Sequence, residues 1–103
     1  MAEQVSNMKE MVAYQAGSIV SKEIIAKTTG TVTIFAFDQN QGLSEHTAPF
    51  DALVQIVEGE AEIFIAGESH HLQEGQIIIM PAGKPHALKA LKKFKMMLVM
   101  VKS

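Results

Sequence analysis

The sequence predicts an all-β domain, a barrel or sandwich of roughly eight or nine short strands. Three observations carry this. After residue 18 the chain runs through β-branched and aromatic segments with neither helix caps nor a helical period. Glycine, proline, asparagine and aspartate interrupt those segments at the spacing of an antiparallel fold, about 8–12 residues. Finally, 103 residues, 48% of them hydrophobic, suffice for one core and not for two.

The elements follow in order. Residues 1–18 are set apart as an N-terminal arm and residues 19–103 as the barrel domain. Val5, Met8, Met11 and Val12 recur at helix spacing, so Glu3 to Tyr14 reads as a short helix or an irregular arm. Ile19-Val20 with Ile24-Ile25, and then Thr31 to Phe37, are strands. Asp38 to Gly42 is a loop by composition. Ala52 to Glu58 is the next strand, Glu58-Gly59-Glu60 a tight turn, and Ala61 to Ala66 a strand alternating in polarity. Gly67-Glu68 turns the chain into the short strand Ser69 to Leu72. After Glu74-Gly75 comes the apolar run Gln76 to Met80, the turn Pro81 to Pro85, a short strand from His86 to Lys89, and the last strand, Phe94 to Val101.

Composition excludes several function classes. The net charge of −2 offers no general attraction to nucleic acid or to an anionic membrane. Cysteine is absent, which removes disulfides, thiolate metal sites and thiol catalysis. Arginine is also absent, against a site that clamps a carboxylate or phosphate in bidentate fashion. Met1 to Asn7 lacks the basic and apolar regions of a signal peptide, and no apolar stretch reaches membrane-span length. A soluble cytoplasmic protein is expected. Eight acids lie between Asp38 and Glu74, and six lysines follow from Lys84. This asymmetry reads as complementary packing within or between subunits.

Two segments carry geometric instructions. Gly59 and Gly75 sit where hairpins need positive φ. Pro81 ends a strand because it cannot donate to the ladder. Gly83 lets the chain reverse and Pro85 holds it extended, so His86 starts the returning strand in a set direction. His46 follows Gly42 on the approach to the next strand, and closure of the barrel brings these two ends to one rim.

With these residues in place, the chain resembles the cupin superfamily. The pattern G-x5-P-x-G-x2-H is met by Gly75, Pro81, Gly83 and His86. The pattern G-x5-H-x-H-x3-E-x6-G is met at its ends by His46 and Gly59, with Gly42 near its usual place. The resemblance runs from about Ile19 to Val101 and implies a double-stranded β-helix, or jelly-roll barrel, preceded by a short arm. Cupins usually hold a metal through two histidines and a glutamate of the first motif and a histidine of the second. Those positions here are His46, Ala48, Ala52 and His86, and the usual asparagine after the last histidine falls on Ala90. Two ligands are replaced by methyl groups.

Catalytic metal sites typically offer three protein ligands. His46 and His86 alone are therefore a weak site for a divalent zinc, nickel, iron or copper ion, completed by water or substrate. Glu45 and Asp51 are the nearest spare carboxylates, and pleating turns Asp51 away from the mouth. The plain alternative for the two histidines is a polar pair hydrogen-bonded at a wet rim. Their placement on the motif's inward positions favours a ligand-facing role. An apolar lining is expected from Phe35 or Phe37, Phe50, Val54, Ile56, Met80 and Met97, although methionines are more often core filler. His70 and His71 face opposite ways on an exposed edge and cannot chelate one ion. Ser44 beside His46 has no third group to make a nucleophile.

Two readings compete. One is a small-molecule-binding barrel with little or no catalytic power. The other is a metal-dependent isomerase, lyase or oxygenase acting on a small sugar-like or oxo-acid substrate, as the resemblance implies. A homodimer is expected, because Leu53, Val57 and the strands near Ile19–Ile25 are too apolar for an isolated small barrel.

Overall fold

Alternating side chains in a strand divide it between two faces, so each apolar residue along this chain is assigned to one face or the other by its parity. The computed structural model describes residues 4–102. Met1, Ala2 and Glu3 of the arm and Ser103 at the end of the barrel range lie outside the described residues. Among the described residues nine strands form: β1 (Ile19–Lys27), β2 (Gly30–Phe37), β3 (Gly42–His46), β4 (Asp51–Glu58), β5 (Glu60–Ile65), β6 (Glu68–Gln73), β7 (Ile77–Met80), β8 (His86–Lys89) and β9 (Phe94–Val101). They make a five-stranded sheet in the order β1-β2-β9-β4-β7 and a four-stranded sheet in the order β3-β8-β5-β6. Every described pairing is antiparallel. This is the jelly-roll arrangement expected.

The inner faces of the two sheets enclose the main core. Phe37, Val54, Ile56, Ile63, Phe94 and Met96 are essentially without exposure. Phe37 and Phe94 are register partners on β2 and β9, and their rings stack with centroids 4.6 Å apart and planes 6° from parallel. The turn that brings β5 back against this core requires Gly59, whose φ is +79°. A side chain there would lie 2.7 Å from the carbonyl oxygen of Lys93.

The outer face of the five-stranded sheet carries a second cluster, Val12, Ile34, Ala36 and Val57, with Met11, Tyr14, Val20 and Met97 packed on it. Here the arm does its work. Of the helical alternative, only a single 3-10 turn, Met8–Glu10, forms among the described residues. Val5 is fully exposed while Val12 is buried, so the helix-spaced apolar residues do not share a face and the arm crosses the sheet as an irregular strap. The Tyr14 hydroxyl donates to Glu58 Oε2 at 2.6 Å, Lys95 Nζ donates to the Lys9 carbonyl, and Lys9 Nζ approaches Glu74 Oε2 at 3.4 Å. The uneven charge of the chain is partly resolved by register: Glu58 opposes Lys95 and Glu62 opposes Lys89.

Candidate functional site

Three features bring His46 and His86 together. The first is an irregularity in β3. Leu43 pairs with Leu88 and His46 with His86, so one extra residue lies on the β3 side. Leu43 and His46 are three apart and would otherwise face opposite ways; the bulge turns both inward. The second is the Pro81 turn, with Gly83 at φ +79°. The third is its anchorage: Gly83 N donates to the Ala48 carbonyl at 2.8 Å and Ala82 N to Asp51 Oδ1 at 2.8 Å. Asp51 thus ties down the turn, and as parity predicts it does not line the mouth.

The two imidazoles meet edge to face, with centroids 4.3 Å apart and planes at 72°. Nε2 of His46 is 3.1 Å from Nε2 of His86. Nδ1 of His46 lies 2.7 Å from the Ser44 carbonyl oxygen, and Nδ1 of His86 lies 3.3 Å from that of Lys84. A carbonyl only accepts, so Nδ1 of each ring is the protonated, donating nitrogen. Both Nε2 lone pairs then face one gap, which is satisfied by a shared proton, a ligand donor or a cation. His86 is buried and His46 exposed. Burial, reinforced by His46 and partly opposed by the Lys84 carbonyl, pulls the His86 pKa below the ordinary histidine value.

Beneath the pair lies a cavity of about 150 Å³ between the sheets. Its walls are Leu43, Leu88 and Leu98, with Ala48 and Ala52 where the resemblance expects ligands; Met80, Met96 and Met100 complete it. Of the lining expected from the sequence, His46, His86 and Met80 are in place. Phe35, Phe37, Val54 and Ile56 belong to the main core rather than to this cavity. Phe50 lies at the end of β9, its ring 5.7 Å from Lys102 Nζ. Met97 is displaced for a simple reason. On β9 the inward residues are Phe94, Met96, Leu98 and Met100, so Met97 faces outward and packs under the arm. The parity of Lys95 is the signal that distinguishes the two sets.

Other candidates do not converge. His71 Nε2 is 3.2 Å from Glu60 Oε2 on the exposed surface, and β6 is an edge strand. Ser44 meets His46 through its backbone carbonyl. A larger hollow, about 740 Å³, between the arm and β4 opens broadly to solvent, and the charged pair on its wall, Lys9 and Glu74, is already joined at 3.4 Å.

The fit of a metal can be judged from the donors. Two nitrogens 3.1 Å apart suit neighbouring ligands of one ion, each about 2.0–2.1 Å from it. Among the described residues, however, no group of three or more His, Cys, Asp or Glu side chains converges to hold a metal. The remaining lining side chains are aliphatic or thioether, so the three-ligand set of a divalent catalytic ion is not met. Among the described residues no helix is long and apolar enough to cross a membrane.

Comparison with known proteins agrees with this architecture. Residues 33–102 match the model of the cupin domain. A conserved protein of unknown function from Streptococcus pyogenes is 38% identical, with 98% of this chain and 89% of that one covered and a TM-score of 0.93. A cupin 2 conserved barrel domain protein from Leptotrichia buccalis is 39% identical, with 94% of this chain and 47% of that one covered and a TM-score of 0.91. A cupin superfamily protein from Desulfitobacterium hafniense, 22% identical over 98% of this chain and 93% of its own, shares the fold with a TM-score of 0.92. No curated protein matches the chain. From the double-sheet barrel, the Pro81–His86 segment and the match over residues 33–102, the chain belongs to the cupin family.

Proposed function

We propose that this protein is a small-molecule-binding cupin whose ligand enters between His46 and His86, with little or no catalytic power. One observation carries the reading: the lining of the cavity is apolar except for two imidazoles at its mouth. A cavity of about 150 Å³ matches an apolar body of roughly benzene size. The paired Nε2 atoms add one point of recognition, and a hydroxyl or acid group on the ligand donates into the gap between them. Among the described residues no carboxylate lines the cavity, which supports binding over turnover. A thermal-shift screen over sugars, oxo acids and aromatic acids, with and without metals, tests this. The expected result is stabilisation by small aromatic acids without added metal, lost in His86→Ala. Stabilisation only by metal ions would overturn it.

The competing reading is a metal-dependent isomerase, lyase or oxygenase. It is supported by the 3.1 Å spacing of the two Nε2 atoms and weakened by Ala48 and Ala52. Stoichiometric zinc, iron or nickel in protein purified without added metal, lost in His46→Ala and His86→Ala, would favour it over the first.

We also propose a homodimer. On the outer face of the five-stranded sheet Ile25 pairs with Val32, Val32 with Val99, Val99 with Leu53 and Leu53 with Ile79. This apolar row crosses all five strands beyond the area covered by the arm. Ile25 and Ile79 are about half exposed, as are the neighbouring Ile77 and Val101. A second copy of the same flat face covers such a row with a self-complementary surface. Sedimentation is expected to give a dimer at micromolar concentration and a monomer for Leu53→Lys; a wild-type monomer would overturn the proposal.

A further inference from the structure

Ala52 on β4 has Met80 as its register partner on β7 and Met100 on β9, and all three line the cavity below the histidines. Nearer the mouth, two residues along each strand, stand Phe50 before Ala52 and Lys102 after Met100. The ladder continues that far, because Lys102 N donates to the Thr29 carbonyl at 2.8 Å. Lys102 therefore extends the inward series Phe94, Met96, Leu98 and Met100, and its Nζ lies 5.7 Å from the centroid of the Phe50 ring. His46 and His86 belong to strands of the opposite sheet. The mouth thus has imidazoles on one wall and an ammonium on the other. Packed sheets stand about 10 Å apart, and the flexible four-carbon stem of lysine carries its charge across much of that span.

We propose that Lys102 is a specificity-determining residue of this mouth and that the ligand is a hydroxylated aromatic acid, bound as its carboxylate. This rests on the reading of the cavity as the protein's ligand site and names the class of ligand. Counting donors and acceptors leads to it. With each Nδ1 committed to a backbone carbonyl, the two Nε2 atoms turn lone pairs to their gap. That wall accepts the proton of a hydroxyl and offers nothing to a carboxylate, which itself only accepts. Among the described residues, the other side chains lining the cavity are aliphatic or thioether. An acid group therefore needs a donor from the rim, and Lys102 brings three N–H donors together with a positive charge. Its contact with Phe50 is close to the outer limit of about 6 Å for a cation over a ring, so a carboxylate replaces it at little cost. The ring of the ligand fills the cavity of about 150 Å³, a volume that matches a benzene-sized body. A meta arrangement of hydroxyl and carboxylate suits the two facing walls. Both groups then lie toward one end of the ring, and the hydroxyl is not consumed by its own carboxylate. Lys84, the other cation near the histidines, is exposed on the Pro81–Pro85 turn and meets His86 through its backbone carbonyl.

The test is calorimetric titration of the protein with meta-hydroxybenzoate and with its neutral counterpart, meta-hydroxybenzyl alcohol. The acid is expected to bind about fivefold more tightly than the alcohol, the upper end for an ion pair open to solvent, and the lead should shrink at high salt. Lys102→Met, checked for an unchanged melting transition, should bring the acid down to the affinity of the alcohol. Lys102→Arg should keep the lead because it keeps the charge, and Lys84→Met should keep it because that side chain lies outside the mouth. A lead that survives Lys102→Met, or a wild type that binds acid and alcohol equally, would overturn the proposal. If that happens while benzoate still stabilises the wild type and not His86→Ala, the Lys102 assignment falls and the ligand site stands. Absence of binding by every one of these compounds would remove both.

Discussion

Nε2 of His46 and Nε2 of His86 stand 3.1 Å apart, while the other nitrogen of each ring is committed to a backbone carbonyl. His86 is buried and its pKa is held below the ordinary value of 6.5, first by burial and then by His46. In the unfolded chain the same residue titrates near that ordinary value. As pH falls through about 6.5 the unfolded state therefore takes up protons first, and folded stability declines. We expect urea midpoints that are flat above neutrality and fall on acidification below it, with the fall reduced in His86→Gln. An equal fall in that variant would assign the acid sensitivity to other groups.

The two turn glycines separate backbone strain from collision. Both Gly59 and Gly83 have φ of +79°. A side chain at Gly83 meets nothing within 4 Å, whereas at Gly59 it meets the Lys93 carbonyl and Phe94. Gly83→Ala should cost about 1–2 kcal/mol, the left-handed penalty alone. Gly59→Ala should cost more, about 3 kcal/mol once crowding is added. Equal losses in chemical denaturation would contradict the packing described at the β4–β5 turn.

The arm is held by a hydrogen bond as well as by apolar contact. Tyr14 donates to Glu58, and burial together with that carboxylate raises the Tyr14 pKa far above its usual value. The phenol is thus protonated throughout the working range. Tyr14→Phe should lower stability by about 1 kcal/mol and increase amide exchange around Val12 without affecting ligand binding at the mouth. A loss of binding would show that the strap and the cavity are coupled.

Restoring the absent ligands should convert the site. In Ala48→His with Ala52→Glu, the two histidines gain a third nitrogen and a carboxylate. Zinc affinity should rise by about 100-fold or more, as expected when a site gains its full ligand set. The metal-free variant should be less stable than the wild type because a carboxyl replaces a buried methyl. Calorimetric zinc titration checks this; an unchanged affinity would mean that these positions do not point at the histidine pair.

The succession of strands along the chain and the arrival of His46 and His86 at one rim were legible in the sequence because glycine, proline and strand periodicity act locally. The Gly75–His86 segment alone specifies a strand end, a reversal and a returning histidine. The cavity lining was less legible. Met97 and Met100 are chemically alike and share β9, and only parity separates them. Lys95, the residue that sets that parity, is itself covered by the arm. Nor does sequence show that Met80 and Met100 both flank Ala52, since that depends on strand order across β7, β4 and β9. The arm likewise follows tertiary contacts, with Met11, Val12 and Tyr14 docking on the sheet in place of a helix.

Methionine methyl NMR tests the central claim most directly. In protein labelled at the methionine methyl groups, titration with the aromatic acid that stabilises it most should shift Met80, Met96 and Met100. The ring protons of His46 and His86 should move with them, and Met97 under the arm should not. Shifts confined to Met97 and the arm methionines, or no shift at the cavity with any compound of the panel, would contradict the assignment of the His46–His86 mouth as the ligand site.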